Sequence, residues 1–138
     1  MKFFIFVISG LLFLSGCRVF TESPEMPTLG DNQWQLIAMD QKPVNLGNNA
    51  YIKFNEKDLK VGGKAACNTF LADFERSGDK ISFSTVGSTK MYCEGLMEEE
   101  GQIITNLQKV KRYEIKYGLL YLFGSDDLLL TFKKANVN

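Results

Sequence analysis

The sequence predicts an α+β fold, mainly β: a curved antiparallel meander, a half-barrel of about eight strands, packed on one main helix. Three observations predict it. Short runs of apolar and polar residues in strict alternation recur along the chain, bounded by glycine, asparagine or aspartate. One stretch, 94–109, switches to helical spacing. The alternating runs also follow one another at hairpin distances, which favours sequential antiparallel pairing.

Each element has its own warrant. Gln33 to Met39 alternates, with Trp34, Leu36 and Ala38 on one face. Lys42-Pro43 and Asn48-Asn49 punctuate a loop. Ala50 to Phe54 alternates again, Ile52 and Phe54 pointing inward. Asn55-Glu56-Lys57-Asp58 is turn chemistry, and Leu59 and Val61 then alternate with Lys60 to complete a hairpin. Gly62-Gly63 interrupts this strand, as glycine does at a bulge or a close backbone approach. Phe70, Ala72 and Phe74 share a face, Ser77-Gly78-Asp79 turns the chain, and Ile81 and Phe83 return. In 94–109, Leu96, Ile103, Ile104 and Leu107 form one apolar stripe. Glu98, Glu99 and Glu100 crowd its early turns, where carboxylates suit the positive end of the helix dipole. They read as a solvated helix start, with a cation site as the alternative. Three runs close the chain: Arg112 to Tyr117, Leu119 to Phe123 after a Tyr117-Gly118 turn, and Leu128 to Phe132 after the loop 124–127.

The 138 residues allow one domain, and 45% apolar content suits a globular core. Formal charge is balanced, so no basic surplus points to nucleic acid. The chain has no histidine, which removes Ser-His-Asp and Cys-His catalysis and imidazole metal sites within it. Asp and Glu are scattered, and Ser84, Thr85, Ser88 and Thr89 have no imidazole base, so no enzyme, metal or cofactor is expected.

The amino terminus reads as an address. Lys2 precedes the apolar run Phe3 to Leu14, shorter than the about 20 residues needed to span a bilayer. Leu14-Ser15-Gly16-Cys17 resembles the bacterial lipobox, which implies a signal peptide at 1–16 and acylation of Cys17. The alternative is an ordinary cleaved signal beside a chance cysteine. Several acyl chains hold a protein to a membrane far more firmly than one. Arg18, rather than aspartate, after the cysteine resembles an outer-membrane sorting signal. Residues 17–28, with Pro24 and Pro27, read as a tether that reaches about 40 Å when extended. The domain then occupies 29–134.

The residues Trp34-Gln35-Leu36, then Gly63 through Cys67-Asn68-Thr69-Phe70, then Thr89-Lys90-Met91-Tyr92-Cys93 fall in the order and spacing of a known pattern. The chain resembles the META domain family of HslJ-like heat-shock lipoproteins over roughly 29–133. The resemblance implies the fold already inferred and a stress-linked role at the cell envelope, against heat or toxic compounds. It implies no biochemical activity. The function expected is therefore a non-enzymatic binding module, a monomeric domain joined to the membrane by its anchor and to an envelope protein partner. The rival is a carrier of a lipid or hydrophobic small molecule within the half-barrel.

With Cys17 acylated, Cys67 and Cys93 remain as an even pair in an exported domain, which reads as a disulfide. Closing that loop would stabilise by roughly 3.5 kcal/mol on the chain-entropy view. Two free thiols or a redox pair are the alternatives. Asn68 either caps its turn or donates to a ligand. Thr89 hydrogen-bonds locally and Met91 fills core. The last hairpin has apolar residues on both faces. Leu120 and Leu122 with Leu130 and Phe132 belong to the core. Leu119, Tyr121 and Phe123, with Leu129 beside them, form a candidate partner patch, either covered by other parts of the domain or exposed.

One outcome follows for the amino terminus. Radiolabelled palmitate is expected to enter the wild-type protein and not Cys17→Ser; equal labelling of the two excludes the anchor.

Overall fold

The computed structural model describes residues 28–30 and 32–135. The leader, Cys17 and the tether up to residue 27 lie outside the described residues. The elements run β1 (Gln33–Met39), β2 (Lys42–Pro43), β3 (Ala50–Asn55), β4 (Lys60–Ala65), β5 (Asn68–Ser77), β6 (Lys80–Phe83), β7 (Gly87–Ser88), α1 (Met97–Lys109), β8 (Arg112–Lys116), β9 (Leu119–Phe123) and β10 (Leu128–Lys134).

The fold is mainly β, as expected, but the barrel is closed rather than half-open. Around the ring the order is β1, β3, β4, β5, β6, β8, β9, β10, and β10 pairs back onto β1. Trp34 lies opposite Lys134 and Met39 opposite Leu130. β1 is thus hydrogen-bonded on both edges, to β3 and to β10. Hairpin signals in a sequence report neighbours only, so this first-to-last pairing was invisible there. β2 and β7 are short additions to β1 and β5. The seam between β6 and β8 is the thinnest part of the ring, with one bridge pair, Lys80 opposite Arg112.

The inward alternation holds for Trp34, Leu36, Ile52, Phe54, Val61, Phe70, Ala72, Phe74 and Ile81, all buried. Leu120 faces Phe132 and Leu122 faces Leu130 across the last hairpin, all four buried. Phe54 and Phe74 meet edge to face at 5.5 Å inside the barrel. Two expected positions differ. A bulge between Leu36 and Ala38 shifts the phase of β1, so Met39 rather than Ala38 turns fully inward. Leu59 belongs to the β3–β4 turn, not to a strand. The Asn55 side-chain carbonyl accepts from the N–H of Lys57 and of Asp58, which extends the turn and leaves Leu59 at φ +51°.

Gly63 does not interrupt β4; the strand runs through it. A Cβ there would lie 2.0 Å from the Tyr51 carbonyl oxygen, so close backbone approach requires the glycine. α1 begins at Met97, later than the helical spacing implied, because Gly95 at φ +75° turns the chain first.

The barrel has two distinct ends. α1 packs across one, with Ile103 and Leu107 buried and Asn106 Nδ2 donating to Asp40 Oδ1 at 3.1 Å. Residues 28–30 and Asn32 lie across the other. There Leu29 is buried as a plug, its carbonyl accepting from Trp34 Nε1 at 3.1 Å. The Gly30 N–H donates to Glu56 Oε1 at 2.9 Å, and Glu56 pairs with Arg76 at 2.9 Å.

Two glycines should respond oppositely to alanine. Gly63→Ala is expected to cost about 3 kcal/mol or more, because backbone must move. Gly101→Ala, in α1 with nothing within 4 Å of the added methyl, should stabilise by about 0.5–1 kcal/mol. Urea unfolding of both variants against wild type checks the pair.

Candidate functional site

Asn68 opens β5 just after the β4–β5 turn, where Ala66 takes φ +61° and the Cys67 N–H donates to the Ala65 carbonyl at 2.8 Å. This tight turn aims the Asn68 side chain beneath the segment 88–93. Its exposure is 0%, so every polar atom it carries needs a partner inside the protein. It has them. Oδ1 accepts from the Met91 N–H at 2.8 Å and from Thr89 Oγ1 at 2.7 Å. Nδ2 donates to the Met91 carbonyl at 2.9 Å. The side-chain amide therefore pairs with Met91 as a neighbouring strand would.

The other partner is Glu100, in the first turn of α1. Its carboxylate accepts from the Asn68 backbone N–H at 2.7 Å and from Asn68 Nδ2 at 2.8 and 3.0 Å. Glu100 is buried, whereas Glu98 is exposed. This corrects the reading of all three glutamates as a solvated helix start. The signal was present in the sequence: Glu100 precedes Ile103, Ile104 and Leu107 by three, four and seven residues, on the apolar stripe. The positive helix end stabilises the charge there.

Cys67 and Cys93 are joined as a disulfide, Cα atoms 5.8 Å apart. The Met97 thioether accepts the Cys93 N–H at 3.4 Å, and the Leu96 N–H donates to the Cys93 carbonyl at 3.2 Å. The loop 89–96 is thus held from below by Asn68, from the side by the disulfide and at its end by α1.

The structure brings together Cys67, Asn68, Thr89, Met91 and Cys93. It separates the remaining motif residues. Trp34 lies at the far end of the barrel against Leu29, Gly63 is the close approach in β4, and Phe70 is core. Met91 does not fill core. Its backbone is clamped while its side chain is 58% exposed, and its neighbour Tyr92 is 79% exposed.

The candidate patch on the last hairpin is also rearranged. Leu119, Tyr121 and Phe123 share the outward face of β9, each half-buried. Their cover is side chains of the flanking strands: the Arg112 guanidinium lies 3.7 Å from the Phe123 ring centre, and Lys133 stands opposite Leu119. Leu129 is not beside them. It falls in a bulge between Leu128 and Leu130, buried and turned toward Gly124.

Chemically, the Asn68 cluster locks structure. Both carboxylate oxygens of Glu100 are occupied by amide donors, and among the described residues no three Cys, Asp or Glu side chains gather closely enough to hold a metal ion. The barrel interior is filled by Trp34, Phe54, Phe70 and Phe74, and the depressions among the described residues open on the surface.

A META domain family model matches residues 27–137. None of the curated proteins matches. An NMR structure of a protein from Burkholderia xenovorans is similar at 20% identity, covering 79% of this chain and 85% of that one, with a TM-score of 0.64. A second NMR structure is similar at 24% identity, with coverages of 76% and 90% and a TM-score of 0.61. A crystal structure of a DUF4847-family protein from Bacteroides vulgatus ATCC 8482 shares 11% identity, with coverages of 80% and 96% and a TM-score of 0.61. At these identities the likeness is one of fold.

The cluster sets the cost of its own removal. Asn68→Ala strands a buried carboxylate and the Met91 N–H, so it is expected to cost about 3–5 kcal/mol. Replacing Cys67 and Cys93 together by alanine is expected to cost about 2–5 kcal/mol. Denaturant unfolding of each variant reads both losses.

Proposed function

The chain belongs to the META domain family, and from that premise we propose that it is a non-enzymatic binding module of the bacterial envelope. In this reading Cys17 carries the lipid, Arg18 directs the protein to the outer membrane facing the periplasm, and the domain binds an envelope protein. Its contribution to the cell is tolerance of heat or toxic compounds.

One observation carries the reading: an exposed apolar loop is held rigid at considerable cost in specialised residues. Met91 and Tyr92 point to solvent from a backbone fixed by a buried Asn–Glu pair and a disulfide. Rigid aromatic anchors lose little entropy on docking, and this is the economy that binding hot spots use. Exposed Lys90 and Glu94 flank them, so the partner surface carries charges of both signs around an apolar recess. The carrier reading is weaker, because a barrel filled by Trp34, Phe54, Phe70 and Phe74 would have to empty its core to take cargo.

A photo-crosslinking residue placed at position 92 in living cells is expected to give a discrete adduct, absent when the same residue replaces exposed Gln108 on α1. Tyr92→Ser is expected to abolish the adduct partner's recovery while changing stability by less than about 0.5 kcal/mol. Matching adducts at 92 and 108, or none at 92, sinks the proposal.

A further inference from the structure

Five non-glycine residues among those described have positive φ: Asp40, Gln41, Leu59, Ala66 and Tyr117. Two of them are large, apolar and exposed. Leu59, at φ +51°, is 48% exposed in the β3–β4 turn, and Tyr117, at φ +52°, is 89% exposed in the β8–β9 turn. Asparagine or glycine would fit either backbone with less strain. Each position therefore accepts both an unfavourable conformation and unfavourable contact with water, and neither belongs to the buried core.

Both turns lie at the same end of the barrel. β1 begins there, β3–β4 and β8–β9 reverse there, and β10 finishes there. In the ring order two strands separate these hairpins on either side, so the two apolar tips stand across that end from each other. The end is the one that Leu29 plugs, and the chain enters it at Thr28 from the segment containing Cys17. The exposed loop at Met91 and Tyr92 is at the opposite end, beside α1.

The charges nearest Tyr117 are mainly basic, and those beside Leu59 are mixed, with Lys57 and Asp58 in the same turn. Lys116 lies 5.2 Å from the centre of the Tyr117 ring. Lys133 is paired in register with Leu119, the Lys134 N–H donates to the Gly118 carbonyl, and Lys57 flanks Leu59 in its turn. All four side chains are exposed. Of the nearby acids, Glu56 is paired with Arg76 and Asp58 accepts from Asn55. Asp79 and Glu114 stand at this same end, beside Thr28 and Leu29, and lie between the two tips rather than on them.

We infer that this end is a membrane-landing face: Leu59 and Tyr117 enter the headgroup region of an anionic bilayer while Lys57, Lys116, Lys133 and Lys134 engage its phosphates. Aromatic and aliphatic tips flanked by lysine are the side chains that the bilayer interface favours. The inference rests on the anchored reading only to bring a bilayer within reach of Thr28, and it is independent of the partner at Tyr92. It fixes the orientation of the domain, with the Met91–Tyr92 loop facing away from the lipid.

The test places an environment-sensitive dye at Leu59→Cys, Tyr117→Cys or Tyr92→Cys in the whole lipidated protein. Each is reconstituted in vesicles of phosphatidylethanolamine and brominated phosphatidylglycerol. The dyes at 59 and 117 are expected to shift to the blue and be quenched, the dye at 92 to do neither. Replacing Lys116, Lys133 and Lys134 by glutamate should reverse the shift at 117. Equal quenching at all three positions, or quenching at 92 alone, overturns the inference. Flotation of the unlabelled protein with the vesicles reads the anchor separately. If it fails, the acyl-free chain from Arg18 onward, which contains every strand of the barrel and α1, is mixed with the same vesicles at low ionic strength. A blue shift at 59 and 117 then upholds the face, and its absence overturns it.

Discussion

The side-chain amide of Asn68 is the contact on which the upper half of this molecule depends. It is fully buried, and it faces three elements at once: the Met91 backbone, the Thr89 hydroxyl and the Glu100 carboxylate of α1. No other side chain substitutes. Aspartate would lose the two donors and bring a second negative charge against Glu100, and glutamine is one methylene too long for the same pairing. The helix is therefore joined to the barrel by a polar contact as well as by Ile103 and Leu107. A buried carboxylate with amide donors on both oxygens tolerates little displacement, and that intolerance is inherited by the loop above it.

The proposed binding loop and the proposed landing face lie at different ends of the barrel. Closure of β10 onto β1 leaves the ring of described strands with no long free edge except near the β6–β8 seam, so little of the ring is open to the addition of a foreign strand. One end is covered by α1 and the clamped loop, and carries exposed acidic residues such as Glu94, Glu98 and Asp126. The other is plugged by Leu29 and carries Lys116, Lys133 and Lys134 around the β8–β9 turn. A small protein with balanced formal charge is thus polarised along its axis.

Much of this was legible in the sequence, and the physical reasons for what was not are specific. Alternation named the inward residues of β3, β5, β9 and β10, because each strand has one face in the core and a single register satisfies it. Short turns were legible from Ser77-Gly78-Asp79 and Tyr117-Gly118. Ring closure was not, since it joins Trp34 to Lys134, a hundred residues apart in the chain. The pairing of Cys67 with Cys93 followed from counting, but the Asn68–Glu100 contact did not. A glutamate in the first turn of a helix has an adequate explanation in the dipole, and that explanation hid its position on the buried stripe. Likewise Met91 looked like filler because methionine usually is. Its backbone carries the contact and its side chain is left outside.

The double-sided pairing of β1 has a mechanical consequence. The chain passes from Thr28 through the Leu29 plug directly into β1, which is laced to β3 on one edge and β10 on the other. A pull on the amino-terminal segment, resisted at the opposite end of the barrel, acts along the strand axes. The ladder hydrogen bonds then bear the load together, in shear, rather than parting one at a time like a zipper. Tension must first draw Leu29 out of its seat, and only afterwards strain the ring.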